Sequence, residues 1–145
     1  MQTTTSVEVD RAADVVFAFV ADHANNPRWQ GGMESCVWQG DGPIAVGARY
    51  DQRASFLGRP ILTTFEVTAL DPGRSITITS VVSTFPIRVT RTVEALAPDR
   101  CRVTAEVWGD PPWFLRVPGM GHMIRRSIEG DYARLKALLE GPSPA

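Results

Sequence analysis

The residues from Pro118 to Glu140 carry a single apolar stripe at helical spacing, and they follow an almost uninterrupted series of strand patterns. The apolar residues recur every three or four positions: Met120, Met123, Ile124, Ile128, Tyr132, Leu135 and Leu139. This spacing predicts one long amphipathic helix that packs its stripe against another layer. Between about Met33 and Trp108 the apolar period is two, which predicts strands. A sheet that curls around such a helix encloses a cavity, so the pattern favours binding of a small molecule.

The predicted strands are joined by short connections. Residues 3–9 form a first strand, a short helix starts at Asp10 or Ala12, and residues 23–32 form a polar loop or one helical turn. Six further strands are predicted over residues 33–39, 47–56, 61–70, 75–82, 87–96 and 101–108. Neighbouring strands should be antiparallel, because a parallel crossover takes about a dozen residues or more.

The composition is that of an ordinary globular chain. It has 145 residues, of which 43% are hydrophobic and 21% charged, with a formal net charge of -1. We expect one domain over residues 1–141 and a flexible tail over residues 142–145. The charge does not point to nucleic acid, and no apolar run approaches the roughly 20 residues of a membrane span. The N-terminus lacks the regions of a signal peptide, so a cytoplasmic location is expected.

Neither a metal nor a cofactor is predicted. The cysteines Cys36 and Cys101 lack the spacing of a metal site, and the only histidines are His23 and His122. We interpret both cysteines as buried small apolar residues rather than as a disulfide. His23 lies in the polar loop and is interpreted as solvated. No catalytic triad, phosphate loop or zinc motif occurs in the chain.

The segment from Gly109 to Gly119, here called the connector, combines many Pro and Gly residues with the apolar Trp113, Phe114, Leu115 and Val117. Apolar side chains on an irregular segment must pack on something. A cavity mouth, a partner subunit and a membrane surface are all open alternatives. The hypotheses therefore include a homodimer and an interaction module that uses Trp113–Val117.

Several motifs together resemble a known family. They are Val16–Asp22 with Pro27–Trp29 just after it, Val46–Tyr50, Val67–Gly73 and Arg134–Glu140. In this order they are similar to the polyketide cyclase/dehydrase branch of the START-like superfamily, also called SRPBCC, over essentially the whole chain. The resemblance implies an α+β helix-grip fold: a curved antiparallel seven-stranded sheet wrapped around a long C-terminal helix, with two short helices after the first strand. The family contains aromatase/cyclases and lipid and sterol carriers, and its fold alone does not fix an activity.

Strand parity singles out Arg91. It shares a face with the apolar residues Ile87, Val89, Val93 and Ala95. A guanidinium keeps its charge, so an inward position requires a carboxylate, water, or an anionic or carbonyl-bearing ligand. Glu106 on the next strand is a poor candidate for that carboxylate, because parity places it on the opposite face. Arg91 is thus a ligand contact, a residue at a wet cavity edge or the partner of an acidic side chain.

Catalysis, where present, is expected to come from orienting a flexible substrate and polarising a carbonyl. Arg91 is the candidate electrostatic donor, and Ser80 or His122 is the candidate proton-transfer group. His122 lies near the start of the long helix. Its alternative interpretation is a partly exposed helix residue without a catalytic role. Aromatase/cyclase relatives are expected to turn an Arg and hydroxyl groups inward, but parity places Arg53 and Ser55 outside.

The residues predicted to line the cavity are aromatic or lie on inward strand and helix faces: Trp29, Tyr50, Gln52, Phe56, Thr63, Phe65, Ile78, Val89, Trp108, Met120, Ile124 and Ile128. The leading hypothesis is binding of a hydrophobic small molecule, polyketide-, lipid- or isoprenoid-like, with cyclase or dehydrase activity left open. The alternatives are a non-catalytic carrier and the interaction module described above.

Overall fold

The computed structural model describes residues 1–56, 58–113 and 116–142, apart from the side chain of Phe56. The elements are, in order, strand β1 (Gln2–Val9), helix α1 (Ala13–Ala21), a short 3-10 helix (His23–Arg28), strands β2 (Met33–Trp38), β3 (Arg49–Phe56), β4 (Arg59–Asp71), β5 (Ser75–Val82), β6 (Ile87–Ala97) and β7 (Arg100–Gly109), and helix α2 (Met120–Glu140). The strands form one antiparallel sheet in the order β1-β7-β6-β5-β4-β3-β2. The predicted helix-grip architecture is confirmed.

Helix α1 begins later than the sequence predicts, at Ala13. The reason is that Asp10 and Arg11 are used elsewhere: the Asp10 N–H donates to Glu140 Oε2 at 2.9 Å, and Arg11 Nη2 donates to the carbonyl of Gly141 at 2.9 Å. These bonds satisfy groups at the C-terminal end of α2, where the last carbonyls have no intrahelical donor. The segment between β1 and α1 is therefore hydrogen-bonded to the C-terminal end of α2.

The two halves of α2 are buried to different degrees. Its fully buried residues are Asp131, Tyr132, Leu135 and Leu139, all in the C-terminal half. In the N-terminal half, Met120, Ile124 and Ile128 are only half-buried. Met123, which the stripe predicts to be buried, is 44% exposed. The helix thus packs closely on the sheet along one half and leaves the apolar face of the other half partly uncovered.

Two irregularities in the pairing of β4 with β5 change the predicted inward faces. The register shifts between Val67 and Ala69, so that Ala69 becomes exposed and Leu70 pairs with Ile76 instead. A second shift next to Thr64 leaves Val82 65% exposed. Alternation alone puts Ala69 and Val82 inside, and that prediction is wrong because each extra residue reverses the parity after it.

Candidate functional site

The centre of the candidate site is the buried side chain of Arg91 on β6. It is 2% exposed, which agrees with the inward position that strand parity predicts. Its Nη1 donates to the carbonyl of Val20 and to Oδ1 of Asn26, both at 2.9 Å. Its Nε donates to the hydroxyl of Tyr132 at 3.2 Å. One guanidinium therefore joins β6 to α1, to the 3-10 helix and to α2.

The contact with Val20 follows from how α1 ends. The last carbonyls of a helix lack intrahelical donors and lie at the negative end of its dipole, so a cation is favourable there. Helix α1 has no basic residue in its own last turn. Arg91 supplies the cation from the sheet, and the guanidinium also lies 4.9 Å from the centroid of the Trp29 ring. A cation over an indole face is stabilised by the ring quadrupole.

Aromatic rings fill the space beside Arg91. Trp29 meets Tyr132 edge to face, with their centroids 4.9 Å apart. Tyr50 on β3 stacks on His23 at 5.0 Å and on Phe65 at 5.4 Å. Such pairs contribute about 0.5–1.5 kcal/mol each beyond the area they bury. We call this set, together with Arg91 and Asn26, the arginine cluster.

Burial sets the protonation of the arginine cluster. Desolvation lowers the pKa of His23 well below its ordinary value, and the charge of Arg91 lowers it further. A hydrogen bond to the Ala21 carbonyl acts in the opposite direction. The His23 imidazole is thus neutral near pH 7. Desolvation likewise raises the pKa of Tyr50 well above its ordinary value and that of the Cys36 thiol to about 11, while the charge of Arg91 lowers both.

Two donors of the arginine cluster have no partner among the residues that the structure describes. They are the Tyr50 hydroxyl and Nε1 of Trp29, on side chains that are 0% and 2% exposed. The acceptor Oε1 of Gln30 is unpartnered in the same way. Nη2 of Arg91 also has no hydrogen bond to a described residue. Because buried polar groups are nearly always bonded, each of these groups is a candidate for a hydrogen bond to an atom from outside the chain.

A second set of polar contacts holds the loop after the 3-10 helix against α2. The Asp131 carboxylate accepts the N–H of Gly31 at 3.0 Å and pairs with Arg134. Arg134 Nε in turn donates to the Trp29 carbonyl at 3.0 Å. Desolvation raises the pKa of Asp131 above its ordinary value, although the Gly31 N–H, Arg134 and the charge of Arg91 oppose this shift. These contacts fix Trp29 under Arg91.

The three candidate catalytic residues lie apart in the structure. Ser80 Oγ on β5 accepts the N–H of Ile87 at 2.9 Å, so this hydroxyl closes the turn between β5 and β6. His122 lies in the first turn of α2, where its side chain is exposed. No hydrogen bond joins either residue to Arg91 within the described part of the chain.

The predicted lining residues separate into three groups. Trp29, Tyr50, Thr63, Phe65 and Ile78 are fully buried, whereas Gln52, Val89, Met120, Ile124 and Ile128 are half-buried. The side chain of Phe56 lies outside the described residues. Trp108 is on the outer face of the sheet, where the guanidinium of Arg88 lies 5.1 Å from its ring centroid. Its neighbour Val107 has the inward parity, so Trp108 does not face α2.

Sequence reasoning missed His23 and Asn26, both of which are buried in the arginine cluster at 1% and 2% exposure. His23 is predicted to be solvated, and that prediction is wrong. The polar composition of residues 23–32 hides the burial, because the 3-10 helix packs against β2 and α1. One sequence signal for this burial is Asp22, a residue type that often caps helices. Its Oδ1 accepts from the Ala24 N–H at 3.2 Å and so caps the 3-10 helix. The same oxygen accepts from Nε1 of Trp38 at 2.8 Å.

The connector borders two open grooves. One has a volume of about 370 Å³ and lies between the turn after β5 and the connector, with Phe85, Pro111 and Trp113 in its wall. The other has a volume of about 490 Å³ and reaches from Met1 to Met120 at the start of α2. Trp113 is 82% exposed and Val117 is 56% exposed. Phe114 and Leu115 lie outside the described residues.

The described residues hold no cluster of three or more His, Cys, Asp or Glu side chains placed to bind a metal ion. Cys36 and Cys101 are both buried and unpaired, as predicted. No helix in the described part of the chain is long and apolar enough to cross a membrane.

Comparisons with known proteins agree with this architecture. The model of a family described as "Polyketide cyclase / dehydrase and lipid transport" matches residues 1–140. No curated protein matches the chain. A START superfamily protein from Mycobacterium smegmatis has a TM-score of 0.73 at 16% identity, with 97% of this chain and 94% of that chain covered. A major latex-like protein from Panax ginseng has a TM-score of 0.73 at 15% identity, with 94% and 95% covered.

A further similar structure is the di-domain ARO/CYC protein BexL from the BE-7585A biosynthetic pathway. Its TM-score is 0.71 at 24% identity, and the match covers 98% of this chain but 48% of that one. At these identities the likeness concerns the fold, and the arrangement of the site in this chain must carry any statement about function.

Proposed function

Because the chain belongs to the polyketide cyclase/dehydrase and lipid transport family, we propose that it binds a hydrophobic small molecule between the N-terminal half of α2 and the inner face of the sheet. The ligand is polyketide-, lipid- or isoprenoid-like. The observation that carries the proposal is the uneven burial of α2: its C-terminal half is packed, and the apolar face of its N-terminal half is not.

The facing surfaces are both apolar. Ile124 and Ile128 on α2 are half-buried, as are Ile87 and Val89 on the inner face of β6. Covering such residues completely contributes about 25 cal/mol for each Å² of apolar area removed from water. A hydrophobic ligand between α2 and β6 gains this free energy without displacing the packed core around Tyr132.

The contacts favour binding over proton-transfer catalysis. Ser80 Oγ already accepts a backbone N–H, and the His122 side chain is exposed on α2. Arg91 remains the candidate for polarising a ligand carbonyl, because it is the buried cation of the arginine cluster. Cyclase or dehydrase activity therefore stays a hypothesis that rests on Arg91 and not on an assembled acid–base pair.

The test compares two substitutions on α2. Ile124→Asn places an amide in the proposed binding site between α2 and β6, whereas Ser127→Asn places the same amide at an exposed position outside the apolar stripe. Burying an aliphatic side chain contributes roughly 1.5–3 kcal/mol, so Ile124→Asn should weaken binding about tenfold or more. Binding of dodecan-1-ol is measured by calorimetry, and native mass spectrometry identifies molecules that co-purify. Equal affinities of the two variants and the parent contradict the proposal.

A second candidate function is the interaction module, and the exposure of Trp113 and Val117 favours it. We propose a second copy of the chain as the partner. Trp113→Ala should then shift the sedimentation coefficient from dimer to monomer at micromolar concentration. A monomeric parent chain rules out this second function and leaves the ligand-binding proposal unaffected.

A further inference from the structure

We propose that the bound molecule is an amphipathic acid whose carboxylate pairs with Arg91 while its apolar chain occupies the groove under α2, by which we mean the proposed binding site between the N-terminal half of α2 and the inner face of β6. This inference rests on the proposed function and names the chemical class of its ligand. It is carried by the charge balance and the hydrogen bonding of the arginine cluster.

Arg91 forms no direct ion pair with an acidic side chain among the described residues. Its bonded partners are a carbonyl, an amide oxygen and a hydroxyl, all of them neutral. The charge of Arg91 lowers the pKa of Asp131, but the direct ion pair of Asp131 is with Arg134. A guanidinium cannot release its proton, so an anion in direct contact would stabilise it beyond the neutral groups that it already contacts.

The unsatisfied groups of the arginine cluster can all donate, whereas the remaining unpartnered atom, Oε1 of Gln30, is an acceptor outside that cluster. The Tyr50 hydroxyl and Trp29 Nε1 have no partner in the described structure, and Arg91 Nη2 has a free N–H. The charge of Arg91 acts on Tyr50, which places the two groups in the same electrostatic environment. A ligand atom that completes this set must accept hydrogen bonds and carry negative charge.

A carboxylate meets both requirements. One of its oxygens can accept from Nη2 of Arg91 and the other from a neighbouring neutral donor, and hydrogen bonds between ionised groups are the strong ones. Arg91, Arg134 and Asp131 together carry a formal excess of one positive charge, which the single negative charge of a carboxylate matches. A phosphate dianion would leave one charge buried without a partner, so a carboxylate is favoured over a phosphate.

The strand that carries Arg91 also leads to the groove. Val89 and Ile87 follow Arg91 on the inner face of β6 and are half-buried. Ile87 pairs with Gly109, whose carbonyl accepts from the N-terminus of Met1, and Met1 lies beside the first turn of α2. The distance along β6 from Arg91 to Ile87 is about 13 Å at the usual rise per residue. A chain of medium length can therefore keep its acid at Arg91 and its tail beneath Ile128 and Ile124.

The experiment compares three probes of equal chain length on the whole protein by calorimetry at pH 8: dodecanoic acid, its methyl ester and dodecan-1-ol. We expect the acid to bind at least about tenfold more tightly than the ester, which corresponds to about 1.4 kcal/mol. Equal affinity for the acid, the ester and the alcohol overturns this inference and leaves the groove intact. Failure of all three to bind overturns the proposed function as well.

Substitutions in the arginine cluster test where the ligand carboxylate binds. Arg91→Met should abolish the preference for the acid over the ester, and Arg91→Lys should retain part of it. Tyr50→Phe provides a test that leaves Arg91 in place: it should weaken the acid about three- to tenfold and leave the ester unchanged. Ser127→Asn, at an exposed position of α2 outside the apolar stripe, serves as the control and should bind all three probes as the parent does. A preference for the acid that survives both Arg91→Met and Tyr50→Phe contradicts the inference.

Discussion

Two buried tyrosines should respond in opposite directions to the same substitution. Tyr50 and Tyr132 are 0% and 2% exposed, and replacing either by Phe removes only a hydroxyl. The Tyr132 hydroxyl accepts a hydrogen bond from the Arg91 guanidinium at 3.2 Å, whereas the Tyr50 hydroxyl has no partner in the described structure. The comparison therefore isolates the effect of a hydrogen-bond partner at constant burial.

The magnitudes follow from the partners. A hydrogen bond to a charged group contributes about 1.5–3 kcal/mol, so Tyr132→Phe should lower the free energy of unfolding by about 2 kcal/mol. A buried hydroxyl without a partner costs about 1–3 kcal/mol in mutational data, so Tyr50→Phe should raise the free energy of unfolding by about 1 kcal/mol. At about 4 °C per kcal/mol, the Tm values should change by about 8 °C downwards and about 4 °C upwards.

The assay is urea and thermal unfolding of the ligand-free protein, followed by far-ultraviolet circular dichroism. Unchanged m-values would show that each substitution alters stability and not the compactness of the unfolded state. A loss of stability in Tyr50→Phe comparable to that in Tyr132→Phe refutes the reasoning, because it means that the Tyr50 hydroxyl has a partner. The proposed acid ligand predicts a further result: Tyr50→Phe is more stable than the parent but binds dodecanoic acid less tightly.

Three other predictions concern single positions. Gly130 lies inside α2, and among the described residues a Cβ there would meet only Arg134 Nη1, at 3.8 Å. Gly130→Ala should therefore raise the urea midpoint by the equivalent of about 0.5–1 kcal/mol. A lower midpoint would show that another part of the chain lies too close to α2 for a methyl group. Burial lowers the pKa of His23. Below the ordinary histidine pKa of about 6.5, the unfolded chain therefore takes up a proton that the folded chain does not. The free energy of unfolding should fall on acidification by up to about 1.4 kcal/mol per pH unit. His23→Gln should flatten this slope between pH 6.5 and 5, whereas the exposed His122 offers His122→Gln as a control with the parent slope. Val82 is 65% exposed, so Val82→Thr should change the Tm by less than about 2 °C, and a larger drop would mean that this side chain packs on the folded chain.

The periodicity of the sequence was sufficient to predict the architecture. Alternating apolar residues with short Gly- and Pro-containing turns require antiparallel neighbours, and the stripe of α2 requires a sheet to pack on. The same alternation predicted that Arg91 faces inward, as it does. It failed at Ala69 and Val82, because a register shift depends on the partner strand and leaves no mark in the composition of its own strand.

What the sequence by itself determined is therefore the fold, the family and the face on which the buried cation lies. Only the tertiary structure decided what surrounds that cation. Arg91 is bonded to groups on three elements that are distant from it in sequence: the Val20 carbonyl, Asn26 and Tyr132. No local sequence pattern predicts these contacts. Burial of His23 and the uncovered half of α2 were decided in the same way, because desolvation and packing depend on neighbours brought in by the whole fold and not on the residue or its flanking sequence.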